Sequence, residues 1–208
     1  RAAGDRGAAL KKAGLDSSKP AIALLPGSRH AEVSRHLPVM REAAMGLRRE
    51  REIQFFCVCA STIDPKDLVT GLANPAVQIP VVHEDRYEAI GAADLVWTAS
   101  GTATLETALL GRPMIIIYRL AWITYMIARL LVRVEHIGMA NLIAGERLVP
   151  ELIQRDANPE RIIAESRILL DDAPVRSGIM AKLAKLRERL GGEGAADRVA
   201  ALALGMMR

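Results

Sequence analysis

Short runs of purely apolar residues alternate along the first 120 positions with stretches of helical periodicity, and this alternation limits the fold more than any other feature. The candidate strands cover residues 21–25, 53–59, 77–82, 95–98 and 114–118. They are nearly continuous in apolar side chains rather than alternating, as expected of parallel strands covered on both faces. Between them lie amphipathic segments. After Pro38, for example, Met40, Ala43, Ala44 and Leu47 keep helical spacing, while Arg41, Glu42, Arg48 and Arg49 take the other face. Pro38 suits the first turn of that helix, with residues 30–36 as a lead-in turn. The pattern predicts a doubly wound α/β fold built on a parallel sheet.

Past Tyr118 the pattern changes, and it predicts that strands stop and helices take over, at residues 121–132, 159–170, 174–190 and 195–206. Two domains are expected: residues 1–172, carrying the sheet, and residues 173–208, helices that pack on a partner domain or a second subunit. Ile179, Met180, Leu183, Leu186 and Leu190 form an apolar stripe that calls for such a surface. The chain starts at Arg1 rather than at a methionine, inside what reads as a helix, and is expected to be a piece of something longer. No signal peptide is visible.

Half of the 208 residues are hydrophobic but only 3% are aromatic, so the core must come from aliphatic side chains. The net charge of +4 suits phosphorylated ligands, anionic lipid or nucleic acid. Without a dense Lys/Arg run interleaved with aromatics, nucleic acid is the weakest of these, and no nucleic-acid partner is expected. Cys57 and Cys59 fall on one face of a strand with no accompanying His or Cys cluster. They read as reduced, buried thiols rather than metal ligands, and no metal site is expected.

Ligands of open α/β sheets bind beyond the carboxyl ends of the strands, and three segments lie there. The first is Gly27-Ser28-Arg29, after the first strand. Glycine lets the backbone approach a ligand, serine offers a hydroxyl and an N–H, and arginine offers a fork suited to phosphate. In the second, a strand runs into Ser100-Gly101-Thr102, which opens a helix carrying Glu106. Ser100 is placed to cap that helix. Its free N–H groups favour an anion, and Glu106, one turn in, is placed for ribose hydroxyls. The third holds Asn141, then Gly145-Glu146-Arg147. His30 and His83, near strand ends, read as turn residues. No Walker loop, G-x-G-x-x-G, G-x-S-x-G or H-E-x-x-H pattern is present.

In this order, "LLPGSRHAEVSRHLP", "TASGTATLETALLGRPMIIIYR" and "MANLIAGERLVPELIQ" resemble the lipid-A-disaccharide synthase family over essentially the whole chain, matching the C-terminal part of that family. The resemblance implies one Rossmann-like half of a GT-B glycosyltransferase. It also implies a metal-free reaction with no cofactor, in which 2,3-diacylglucosamine passes from its UDP donor to 2,3-diacylglucosamine 1-phosphate, giving a β-1,6 disaccharide and UDP. The donor site would then use Gly27, Ser28, Arg29, Ser100, Gly101, Thr102, Glu106 and Asn141. The catalytic base is expected in the family's N-terminal domain, which these segments do not match, so the piece alone is expected to bind donor without turnover. Residues 120–132 are apolar except for Thr124 and Arg129, too short to span a bilayer. They read as a core or interface helix, or as an interfacial helix with Trp122, Tyr125 and Arg129 against an anionic membrane surface. An acylated substrate favours the second reading and a peripheral position on the cytoplasmic face of the inner membrane of a Gram-negative bacterium. A homodimer through the C-terminal helices is admitted. Other readings are a different GT-B UDP-sugar enzyme, an epimerase or a cell-wall transferase, or a non-catalytic nucleotide-binding module.

Overall fold

A computed structural model describes residues 5–120 and 136–190. Among these residues six strands form one parallel sheet: β1 (Ala21–Leu25), β2 (Gln54–Val58), β3 (Val81–Val82), β4 (Leu95–Ala99), β5 (Met114–Tyr118) and β6 (Glu151–Ile153), in the order β3-β2-β1-β4-β5-β6. The helices are α1 (Arg6–Lys12), α2 (His30–Glu50), α3 (Pro65–Leu72), α4 (Arg86–Ala92), α5 (Thr102–Leu109), α6 (Met139–Ala144), α7 (Pro159–Asp171) and α8 (Ala173–Leu190). The chain winds outward from β1 to β3, crosses back, and continues outward on the other side from β4. This is the doubly wound α/β order, with its reversal between β1 and β4.

The continuous apolar runs do what they predict. Alternate residues of each strand feed opposite cores. Ile22, Leu24, Phe55, Cys57, Leu95, Trp97, Ile115 and Ile117 meet α2, α3 and α7 on one face. Ala21, Ala23, Leu25, Phe56, Val58, Val96, Met114 and Ile116 meet α1, α4, α5, α6 and α8 on the other. Cys57 and Cys59 are free thiols in the first of these cores, and burial pushes the Cys57 pKa up.

Four expectations about elements are corrected. Strands do not stop at Tyr118: β6 pairs parallel with β5, with Ile116 opposite Glu151. Three residues between Pro150 and Gln154, whose φ is 52°, are too few to show a period. The run 77–82 gives a ladder only at its last two residues. Pro80 has no N–H to donate, and the N–H of Val77 turns back to the carbonyl of Asn74. The helix after β1 begins at His30, not after Pro38, which lies inside it. Pro38 and Ser34 are both exposed, so the Ser34 carbonyl that Pro38 cannot serve lies on the solvent side of the helix. Finally, α8 is not set apart from the sheet domain at residue 172. It follows α7 directly and buries Leu183 and Leu186 in the same core as Ala108 of α5. The stripe expected to need a partner is covered, through Leu186, by the chain's own sheet layer; Met180 stays exposed. Residues 191–208, with the helix expected at 195–206, lie outside the described residues, as does most of the segment 120–132.

Trp97 is the largest side chain fully buried in the described residues. Its ring centroid lies 5.6 Å from that of Phe55. Its Nε1–H donates to Ser166 Oγ at 2.9 Å, and that hydroxyl donates in turn to the Ile162 carbonyl at 2.7 Å. This relay fastens α7 to β4. Ser166→Ala would leave a buried indole N–H with no acceptor and should cost about 1–3 kcal/mol, while Trp97→Ala should cost about 3–5 kcal/mol. Urea unfolding of both variants checks this; an Ser166→Ala protein as stable as the parent would contradict the relay.

Candidate functional site

The reversal of strand order brings the carboxyl ends of β1 and β4 side by side, with Leu25 paired to Thr98. The two loops singled out in the sequence therefore meet. A cavity of about 340 Å³ opens there, lined by Gly27, Ser28 and Arg29 from the first loop and by Ser100, Gly101, Thr102 and Glu106 from the second. Seven of the eight residues expected at a donor site thus share one cavity.

Gly27 has φ 129° and Gly101 φ 138°, conformations that side chains rarely adopt. Both loops owe their shape to glycine. The first is held from below by two contacts: Thr62 Oγ1 donates to the Ser28 carbonyl at 2.5 Å, and His36 Nδ1 donates to the Pro26 carbonyl at 2.8 Å. The other nitrogen of His36 accepts the Arg119 N–H at 3.0 Å. With a carbonyl on one side and an N–H on the other, the imidazole is fixed as the neutral Nδ1–H tautomer. It is fully buried and ties the β1 loop to the end of β5. Sequence reading gave His36 no role. Its signal, a histidine nine residues after Gly27 on the helix face that packs inward, needs the helix to begin at His30.

In the second loop, Ser100 is not the cap expected of it. Gly101 takes the N-cap position of α5, and Ser100 Oγ donates to the Ile137 carbonyl at 3.0 Å. The N–H groups of Thr102 and Ala103 have no partner among the described residues, and both residues line the cavity. That leaves two donors at a helix start, a natural anion seat.

Asn141 does not line the cavity. It is fully buried: its Nδ2 donates to the Val149 carbonyl and to Glu151 Oε1, and its Oδ1 accepts the N–H groups of Leu148 and Val149. The Glu151 carboxylate also accepts the N–H groups of Ile137 and Gly138. Together they fold the segment around α6 onto β6, which delivers Met139 to the cavity wall and the Ile137 carbonyl to Ser100. The amide expected to touch a ligand instead shapes the loop that lines the cavity.

Two further residues of the cavity escaped the sequence reading. Arg86, the first residue of α4, adds a second guanidinium. It stands four residues past the end of β3, at the carboxyl edge of the sheet. Glu32 brings a carboxylate alongside Arg29, with Oε1 3.0 Å from Arg29 Nη1. The cavity thus holds Arg29 and Arg86, two free N–H groups, and the acids Glu32 and Glu106. Among the described residues no group of His, Cys, Asp and Glu is placed to hold a metal ion, and no helix is long and apolar enough to cross a membrane.

A larger cavity, about 750 Å³, opens at the amino end of β2 between Gln54 and Ile79. Its cations already have partners within its own lining, Lys19 with Glu52 and Arg48 with the Ile53 carbonyl. Ligands of such sheets bind at the opposite, carboxyl edge, so the smaller cavity is the functional candidate.

A model of the lipid-A-disaccharide synthetase family matches residues 2–201. The lipid-A-disaccharide synthase of Geobacter metallireducens is 43% identical over 203 residues, which are 97% of this chain and 53% of that protein. The chain spans about half the length of the curated relatives it matches. Among solved structures, the calicheamicin glycosyltransferase CalG4 is similar with a TM-score of 0.58 at 19% identity, over 88% of this chain and 42% of that one. MurG of Acinetobacter baumannii gives 0.55 at 19% identity, over 88% and 49%. At those identities the likeness is one of fold.

Burial lowers the His36 pKa below its ordinary 6.5. Between that depressed value and 6.5 the unfolded chain binds a proton that the folded chain refuses. The stability His36 lends is therefore complete above 6.5 and is lost as pH falls through the window. Thermal melts between about pH 7.5 and about pH 5 should show a steeper acid loss for the parent than for His36→Gln. Equal slopes would contradict the neutral clamp.

Proposed function

Because the chain belongs to the lipid-A-disaccharide synthase family, we propose that it forms the donor-binding half of a glycosyltransferase making the lipid A disaccharide. In this reading a UDP-linked 2,3-diacylglucosamine is the donor, 2,3-diacylglucosamine 1-phosphate the acceptor, and UDP the leaving group. The observation that carries it is the meeting of the Gly27–Arg29 and Ser100–Thr102 loops in one cavity at the point where the strand order reverses.

The chemistry follows from the charges. As the glycosidic bond to UDP breaks, negative charge grows on the diphosphate. Donors fixed in advance lower the barrier because they need not reorganise at that moment. Arg29 and Arg86 supply guanidinium groups, and Thr102 and Ala103 supply N–H groups at the start of α5. Glu106, in the same wall, is assigned the ribose hydroxyls, where a carboxylate accepts well. No residue among those described is assigned as the base that takes the acceptor's proton. Residues 120–132, with Trp122, Tyr125 and Arg129, lie beyond the described residues except for Leu120. On sequence alone we assign them contact with an anionic membrane surface, from which an acylated acceptor would be drawn. That places the protein peripherally on the inner membrane's cytoplasmic face.

Calorimetry of the 208-residue chain with UDP, UMP and uridine tests the reading. UDP should bind most tightly. Arg29→Ala should weaken UDP by about one to two orders of magnitude, the worth of a charged hydrogen bond. Arg29→Lys should recover only part, since the fork is lost. Equal affinity for UDP and UMP would overturn the diphosphate assignment.

A further inference from the structure

The Gly27–Arg29 loop is not empty. Glu32 lies at the third position of α2, and its carboxylate folds back over the loop. Oε2 accepts the Ser28 N–H at 3.0 Å, and Oε1 accepts from Arg29 Nη1 at 3.0 Å. These are the two donors that a phosphate in this loop would use. The fit is close: a Cβ on Gly27 would come within 2.7 Å of both Glu32 Cβ and Oε2, so a glycine is what admits the carboxylate. Nor is this an ordinary surface ion pair. The Glu32 side chain is only 22% exposed, while that of Arg29 is 80% exposed. The acid sits in the cavity wall and the base at its mouth.

We propose that Glu32 is an internal occupant of the phosphate seat, displaced by an incoming nucleotide diphosphate and returning when UDP leaves. This rests on the reading of the cavity as a diphosphate site. One N–H cannot serve two anions, and two anions in contact repel. Nucleotide affinity at this loop is therefore a difference between the phosphate's bonds and those of Glu32. With the nucleotide gone, the carboxylate satisfies the N–H and the guanidinium and keeps the loop in its binding shape. When UDP leaves, the same carboxylate takes back its place, which speeds release of product. Glu32 is in this sense a positioning residue.

The test separates occupancy from simple charge. Glu32→Gln keeps the length and loses the charge. Glu32→Asp keeps the charge but is one methylene shorter, so it no longer reaches the Ser28 N–H. Calorimetry of the 208-residue chain with UDP and with uridine should show about tenfold tighter UDP binding for both variants and unchanged uridine binding. Glu32→Ala serves as a third variant with the seat vacated outright, and its UDP affinity should also rise. A Glu32→Asp protein that binds UDP like the parent overturns occupancy, as does any of the three binding UDP more weakly while the parent still prefers UDP to UMP. A parent with no preference for UDP over UMP overturns the diphosphate reading, and this inference with it.

Discussion

The parallel pairing of β1 with β4 is the contact on which the site depends. Two strands separated by some seventy residues of chain lie in register, Ile22 opposite Leu95 through Leu25 opposite Thr98. Each must end at the same edge and each must be followed by a loop that turns into a helix on opposite faces of the sheet. The carboxyl ends diverge there and leave a crevice whatever the side chains are. What the sequence adds is two glycines with positive φ, which let backbone N–H groups point into that crevice. The apolar alternation that builds the sheet and the polar loops that serve a ligand are thus one design. Strand residues spend their side chains on two cores, and only the loops are left for chemistry.

The cavity's charge is balanced, not simply positive. Arg29 and Arg86 are set against Glu32 and Glu106 in one wall. A purely cationic pocket would hold a diphosphate tightly and release it slowly. A seat that already holds a carboxylate exchanges one anion for another, at a smaller net gain and with faster turnover. The supports beneath are mostly uncharged side chains: His36 in a single tautomer, Thr62 on the Ser28 carbonyl, and the Asn141 amide behind α6, which donates to the Glu151 carboxylate. His36 and Asn141, buried and uncharged with their bonds satisfied, hold their loops without adding field to the site.

Much of this was legible in the sequence, and most of the failures share a cause. The strands at 21–25 and 114–118 were read to the residue because five apolar side chains in a row between breakers have one explanation. The loops at Gly27 and Ser100 were found because glycine beside hydroxyl and arginine at a strand end has a physical purpose. What escaped reading depended on partners distant in the chain. β6 exists because β5 offers it an edge. Ser100 turns from capping to the Ile137 carbonyl because α6 is brought there. Asn141 looked like a ligand residue and is a brace, since only the fold puts Val149 and Glu151 around its amide. Pro38 misled for a local reason, a rule about helix starts that an exposed helix face relaxes. Glu32 drew no reading from the sequence, since only the fold lays its carboxylate over Gly27.

The central claim is that the β1–β4 crevice receives the diphosphate of a nucleotide. Amide chemical-shift mapping by NMR during a UDP titration addresses it most directly. The account predicts that the largest shifts fall on Gly27, Ser28, Gly101, Thr102 and Ala103, with Arg86 and Met139 next. Shifts concentrated instead around Gln54 and Ile79 at the opposite edge of the sheet, with the Gly27 and Gly101 loops unmoved, would contradict it.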